Sequence, residues 1–298
     1  MTFSTKSLSD NLNLEKNIPI ENSESLLLLK HVFTNNHLDI TRYKIEFLKR
    51  RIDRRMQIKE IHDFNEYVHL LENDSSELRY LFESLSINVT SFFRDTEVFN
   101  ALRGIIMPKI LSNAENEKVI NVWSAGCASG EEPYSIAILL NDILGVSKKI
   151  GISNPIGVHI LATDVNKKAI DFAQNGVYPS KFLEHLSIDL KNKYFVNHNL
   201  HNDSEYEIIS EIKNMIDFET RDILSSPENK FDMIFCRNVL IYYDKVAQEL
   251  LLKKFHRCLK NNGYLILGSD EILIGRKTEN IFYPAMPREK IFQKINML

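Results

Sequence analysis

From Leu26 onward the apolar positions recur at helical spacing. Ile45, Leu48, Ile52 and Met56 share one stripe, Phe64, Tyr67, Val68 and Leu71 a second, and Leu78, Leu81, Phe82 and Leu85 a third. Asp63, three residues before Glu66, has the form of a capping box opening the second of these helices. The pattern predicts a small all-α domain over residues 26–90, preceded at 1–25 by a tail rich in Ser and Asn that has too little apolar surface to order itself. After a connecting helix, Phe99 to Ile106, the rhythm changes. The β-rich runs Val119–Trp123, His159–Ala162, Met233–Cys236 and Tyr264–Leu267 alternate with amphipathic helices. That alternation predicts an α/β domain over 91–298, with a mostly parallel sheet covered on both faces. Between Ser180 and Phe218 it breaks down: Tyr206–Ser210 and Met215–Phe218 read as strands and His201-Asn202-Asp203-Ser204 as a turn. A small antiparallel β-subdomain is therefore expected as an insertion at about 180–218.

Composition narrows the class. With 44% hydrophobic and 26% charged residues in 298, the chain reads as an ordinary globular protein. Its longest helical-looking apolar run, Ile136 to Leu140, is far below the roughly 18 residues of a membrane span, and the N-terminus lacks the pattern of a signal peptide. A cytoplasmic protein without membrane insertion is expected. Cys127, Cys236 and Cys258 are too few and too scattered for a disulfide framework or a zinc site, so no metal is expected. A net charge of -3 offers no broad basic field for nucleic acid.

Four segments carry candidate chemistry. In the first, the strand Val119–Trp123 runs into Ser124-Ala125-Gly126-Cys127-Ala128-Ser129-Gly130 and then Glu131-Glu132-Pro133-Tyr134, with Pro133 in the first turn of a helix. Small residues let a ligand approach the backbone. The loop has neither dinucleotide nor phosphate-loop spacing, and it delivers carboxylates where a phosphate needs donors, which suits a cationic or hydroxyl-rich ligand. A solvated acidic helix N-terminus accounts for the same pair equally well on this loop alone. In the second, Asp164 ends the next strand, where a carboxylate accepts from both ribose hydroxyls of a nucleoside; taken locally it is also an N-cap. The third, Ser86 to Asp95, sets Asn88 and Thr90 around a buried-looking Val89 and presents a guanidinium fork at Arg94, which taken alone reads more simply as an interdomain salt bridge. In the fourth, Phe231–Cys236 releases Arg237, Asn238 and Tyr242 at the carboxyl edge of the sheet, although Tyr242 and Tyr243 read equally as ordinary packing aromatics beside an apolar strand.

These segments, in this order, resemble the CheR family of chemotaxis receptor methyltransferases, protein-glutamate O-methyltransferases that use S-adenosylmethionine. The resemblance runs from about Asp39 to the end and rests on Asn88-Val89-Thr90-Ser91-Phe92-Phe93-Arg94, Gly130-Glu131-Glu132-Pro133-Tyr134-Ser135 and Phe235-Cys236-Arg237-Asn238-Val239-Leu240-Ile241-Tyr242. It implies a Rossmann-like class I methyltransferase domain behind the helical one. It also implies that Asn88, Thr90, Arg94, Ala125, Glu131 and Asp164 line the cofactor pocket, joined by Arg237 and Asn238, and that Arg94 and Tyr242 stand at the methyl-transfer centre. Asp222-Ile223 falls where the family commonly has Asn-Leu beside the adenine. The implied substrate is the glutamate side chains of the receptors' cytoplasmic signalling domain.

From Arg42 to Lys59 there are eight Lys and Arg (42, 44, 49, 50, 51, 54, 55, 59) against Glu46 and Asp53, a face that would attract an acidic helical bundle. The inserted strands offer an edge for a receptor tail. Other methyltransferases fit less well: an amino-methylating nucleic-acid enzyme would show Asp/Asn-Pro-Pro-Tyr/Phe where this chain has Cys236-Arg237-Asn238. A non-catalytic cofactor-sensing module is the alternative from another class.

Overall fold

The computed structural model describes residues 23–35, 40–86, 89–114, 118–149, 156–200, 203–225, 227, 229–273 and 280–296. The chain forms two compact units, Met1–Leu85 and Ser86–Leu298. The tail expected at 1–25 lies outside the described residues up to position 22.

The first unit holds α1 (Ser23–Asn35), α2 (Ile45–Ile58), α3 (Phe64–Asn73) and α4 (Ser75–Leu85). The inward stripe of α2 is Phe47, Leu48, Ile52 and Met56; Ile45, expected on it, sits in the first turn and is exposed. Asp63 Oδ1 accepts the Glu66 N–H at 2.9 Å, which opens α3 as its spacing predicts. A buried Glu77 ties α4 to α2 and α3. It receives Arg55 Nε at 2.8 Å, Arg55 Nη2 at 2.5 Å and the Tyr67 hydroxyl at 2.9 Å. Arg55 is thereby spent inside the unit, and the basic face of α2 is narrower than the sequence count: Lys44, Arg50, Arg54 and Lys59 are its exposed cations.

The second unit opens with α5 (Thr96–Ala101), a π-helical turn at Leu102–Ile106 and α6 (Met107–Ala114). There follow β1 (Val119–Ala125), α7 (Glu131–Lys149), β2 (Gly157–Asp164), α8 (Lys167–Asn175), β3 (Val177–Pro179), α9 (Ile188–Tyr194), β4 (Phe195–Leu200), β5 (Asp203–Ile208), α10 (Ser210–Lys213), β6 (Ile216–Thr220), β7 (Phe231–Cys236), α11 (Lys245–Cys258), β8 (Leu259–Leu267), β9 (Phe282–Met286) and β10 (Ile291–Lys294). The main sheet runs β6-β2-β1-β7-β8-β10-β9, parallel except for β10, which pairs antiparallel with β8 and β9. Central β1 is buried on both faces and so reads as a near-continuous apolar run. Its neighbours, β2 on one side and β7 on the other, mark the point where strand order reverses, and there doubly wound sheets open a crevice at the strands' carboxyl ends.

A second, antiparallel sheet has the order β3-β5-β4. Of the turn expected at 201–204, Asp203 and Ser204 belong to β5, paired with Leu200 and Asn199, and residues 201–202 lie outside the described set. One expectation fails: Met215–Phe218 does not belong to this insertion. β6 pairs parallel with β2, from Ile160↔Ile216 to Asp164↔Thr220, and closes the main sheet. Five residues of strand pattern carry no mark of the direction of their partner; α8, which packs on both β2 and β6, covers the crossover between them. The three cysteines are buried thiols.

Candidate active site

The loop after β1 depends on two glycines. Gly126 has φ +86°, and a Cβ there would lie 2.5 Å from Val239 Cγ2; Gly130 has φ +96°, and its Cβ would meet Ala173 Cβ at 2.7 Å. The loop is laced to β2: the Gly126 and Cys127 N–H groups donate to Thr163 O at 2.8 and 3.0 Å. Asp164 closes it, accepting the Ala128 N–H on Oδ2 at 2.9 Å, and the Asn166 N–H and Ser86 hydroxyl on Oδ1 at 2.9 and 3.2 Å. The cap of α8 is Asn166, whose side chain accepts from Ala169 N at 3.2 Å, so Asp164 serves the loop and not the helix. Tyr178 of β3 donates to Ser129 O at 2.7 Å from the small sheet.

Four non-glycine residues with left-handed backbones fall among the candidate segments: Phe93 (φ 51°) and Asp95 (φ 59°) bracket Arg94, Ala128 (φ 48°) lies in the loop, and Asn238 (φ 59°) follows β7. Such conformations persist only where the surroundings enforce them, and they gather at functional sites. Arg94 Nη1 donates to Val89 O at 2.8 Å. Val89, expected buried, is 69% exposed, because it is its carbonyl and not its side chain that the turn uses. Asn88 lies outside the described residues. Thr90 is half-buried, as are Asn238 and Tyr242, while Ala125 is buried at the end of β1.

Arg237 is a brace. Its side chain, 2% exposed, donates from Nη2 to Asp95 Oδ2 at 2.5 Å and to Arg94 O at 2.9 Å, with Nη1 3.3 Å from Glu132 Oε2. It locks the end of β7 to α7 and to the Arg94 turn. In the segment expected beside an adenine, Asp222 Oδ1 accepts the Leu224 N–H at 2.7 Å and Ile223 is buried.

Two buried charges in this region escape a motif-based reading. Lys254, 5% exposed on α11, donates to Ile223 O at 3.0 Å and to Leu224 O, holding the segment after β6 from behind. Its signal is a lysine in the apolar phase of Ala247, Leu251, Phe255 and Cys258. Glu271, 2% exposed, follows β8 and accepts from the backbone of the loop after β7. Its signal is a carboxylate just past a parallel strand, the placing that marks Asp164.

The electrostatics favour a cation. Burial pushes the carboxyls of Glu131, Glu132, Asp164 and Glu271 above their ordinary range, opposed at Glu132 by Arg237 and at Asp164 by the Asn166 and Ala128 N–H groups. Glu131 is fully buried, with Oε2 accepting the Ser129 hydroxyl at 2.7 Å and Oε1 lacking any partner among the described residues. A buried acceptor without a donor is costly, and the cost falls if a ligand brings the donor. Acceptors in excess of donors, around a loop with no room for a Cβ, fit a ligand bearing positive charge and hydroxyls.

Comparison with known proteins agrees. A family model described as CheR methyltransferase, SAM binding domain, matches residues 88–287, and one described as CheR methyltransferase, all-alpha domain, matches residues 25–86. A chemotaxis protein methyltransferase of Borreliella burgdorferi is 33% identical over 90% of this chain and 95% of its own length. Chemotaxis protein methyltransferase 2 of Pseudomonas aeruginosa is 30% identical over 78% of this chain and 81% of its own. A chemotaxis protein methyltransferase of Listeria monocytogenes is 31% identical over 89% and 98%.

Proposed function

Because the chain belongs to the CheR methyltransferase family, we propose that it transfers a methyl group from S-adenosylmethionine to glutamate side chains of chemoreceptors, forming methyl esters and releasing S-adenosylhomocysteine. The observation that carries this reading is Glu131 Oε1, buried without a donor among the described residues at the start of α7, next to the β1 loop that Asp164 closes.

When bound, S-adenosylmethionine supplies an electrophilic sulfonium methyl. Glu131 would hold its ammonium group, Asp164 its ribose through lone pairs left over from the backbone bonds, and Asp222 and Ile223 its adenine. Thr90, Ala125 and Asn238 border the same space, and Asn88 joins them by resemblance. The accepting glutamate has an unperturbed pKa of about 4.3 and is ionised at neutral pH, so no general base is needed and the protein's task is positioning. Arg94 orients the incoming carboxylate while leaving one oxygen free, and Tyr242 shapes the cleft.

The buried acids give this reading a pH signature. A raised carboxyl pKa means that the neutral form is favoured in the free protein, and a bound cation draws that pKa back down. Affinity for S-adenosylmethionine should therefore weaken as pH falls through the raised values of Glu131 and Asp164, which lie above their ordinary 4.5 and 3.8, and binding in that range should release protons. Calorimetry in buffers of different ionisation enthalpy reads this directly; an affinity flat with pH and no proton release would contradict the assignment of Glu131 and Asp164.

For the receptor, we assign the exposed Lys44, at the N-cap of α2, and Arg50 and Arg54 on it to an acidic helical surface, and the edge of β4 to an extended tail by strand addition, since among the described residues β4 pairs with β5 alone. Charge reversal of the three cations together should raise the receptor KM by about tenfold at low salt and leave cofactor affinity unchanged. An unaltered KM would remove the helix from the interface. No helix among the described residues is long and apolar enough to cross a membrane, and we place the reaction in the cytoplasm.

A further inference from the structure

We propose that Glu271 is a positioning residue, whose carboxylate sets the conformation of the loop carrying Asn238 and Tyr242 and thereby the shape of the cofactor crevice. Oε1 accepts the N–H groups of Val239 at 2.8 Å and Leu240 at 2.7 Å, while Oε2 accepts the Gly268 N–H at 2.6 Å. Among the described residues it has no ion-pair partner, so these backbone donors are what satisfy a charge that is almost wholly out of solvent.

Each bond acts on a different part of the loop. The pair on Oε1 follows directly after Asn238, whose left-handed backbone needs enforcement, and begins the 3-10 turn Leu240–Tyr242 that bears Tyr242. The bond on Oε2 fixes Gly268, which lies so close under Asn238 that a Cβ there would stand 2.8 Å from Asn238 N. The effect reaches the loop after β1 as well, because Val239 Cγ2 fills the space that a Cβ on Gly126 would take. Gln248 completes the frame by donating to Leu240 O and Tyr243 O at 2.7 and 3.0 Å.

Acceptor atoms on both sides of one planar group are what a carboxylate has and an amide lacks. Glutamine at this position would turn an NH2 either toward Gly268 N–H or toward the Val239 and Leu240 pair. Aspartate keeps both acceptors but is one methylene short of reaching all three donors.

The inference rests on the site proposed above, and its test separates the two. S-adenosylhomocysteine is titrated calorimetrically into wild type, Glu271→Gln, Glu271→Asp, Asp164→Ala and Leu252→Ala, each below its unfolding transition, and methyl transfer is measured alongside. Leu252 is a fully buried residue of α11 and serves as a packing control. Glu271→Gln should raise the Kd by about tenfold or more and lower kcat, because buried donors lose their acceptor. Glu271→Asp should move the same way by less, and it carries the test if the glutamine variant does not fold. Leu252→Ala, though less stable, should bind as wild type does. Folded Glu271 variants with wild-type Kd and kcat would overturn the positioning role, even with Asp164→Ala impaired. Absence of binding by the wild type would overturn the site and this inference together.

Discussion

Replacing Arg237 by methionine is expected to destabilise the α/β unit by about 3 kcal/mol, a large share of the roughly 5–15 kcal/mol that holds a typical domain together. The guanidinium is 2% exposed and is shared between Asp95 and Glu132. Asp95 is 40% exposed, so water recovers most of what it loses, and its part is discounted accordingly. Glu132 is different. Its side chain is 13% exposed, burial already pushes its carboxyl upward, and Arg237 is the foremost influence pulling it down. Without that cation the carboxyl rises further, and a group whose folded-state pKa is raised loses stability as pH climbs through it. The deficit of Arg237→Met should thus grow from acidic toward neutral pH. Denaturant titration followed through the single tryptophan, Trp123, which is fully buried in β1, measures it. Adding Glu132→Gln should recover part of the loss, since the pair is coupled; a fully additive double mutant would show that the two do not act on each other.

The second large effect is on catalysis. Arg94→Ala should reduce methyl transfer by about 100-fold or more while changing cofactor Kd far less, because a small misplacement of the reacting groups is enough to cost that much. The surroundings of Arg94 are built for placement. Fully buried Phe92 packs edge-on against Tyr178 and Phe195 of the small sheet, with ring centroids 5.0 and 5.4 Å away, and His185 Nε2 lies 2.7 Å from Phe92 O. The next N–H, of Phe93, donates to the Ser135 hydroxyl at 2.8 Å, and Arg237 pins the Arg94 carbonyl. The side chain therefore leaves from a fixed base. Single-turnover transfer of labelled methyl, set against calorimetric Kd, separates the two effects, and Arg94→Lys should restore little, since an ammonium lacks the planar fork. Unchanged turnover in Arg94→Ala would refute its role.

Much of this architecture is legible in the residues because periodicity reports burial. The stripes of α2 to α4 and the runs of β1, β2, β7 and β8 follow from one-sided and two-sided exclusion from water. Direction is another matter: β6 looks the same whether its partner runs parallel or antiparallel, and β3, at Val177–Pro179, is too short to show any period. Asp164 is legible by position, at the end of the strand after a small-residue loop. Side-chain allegiance is not. Nothing local in Cys236-Arg237-Asn238 reveals that Arg237 turns back to Asp95 and Glu132, residues more than a hundred positions earlier. Nor does an apolar Val89 reveal that its side chain stays exposed while its carbonyl receives Arg94. Lys254 and Glu271 carry weaker signals, the one a charge in the apolar phase of α11 and the other a carboxylate past the end of β8, and their backbone partners leave no trace in the sequence.

Chemoreceptor-containing membranes incubated with the protein and methyl-labelled S-adenosylmethionine test the central claim most directly. The account predicts label on the receptors that mild alkali releases as methanol, as a carboxyl ester requires. Receptors that stay unlabelled under conditions where the cofactor binds, or label that withstands alkali, would contradict it.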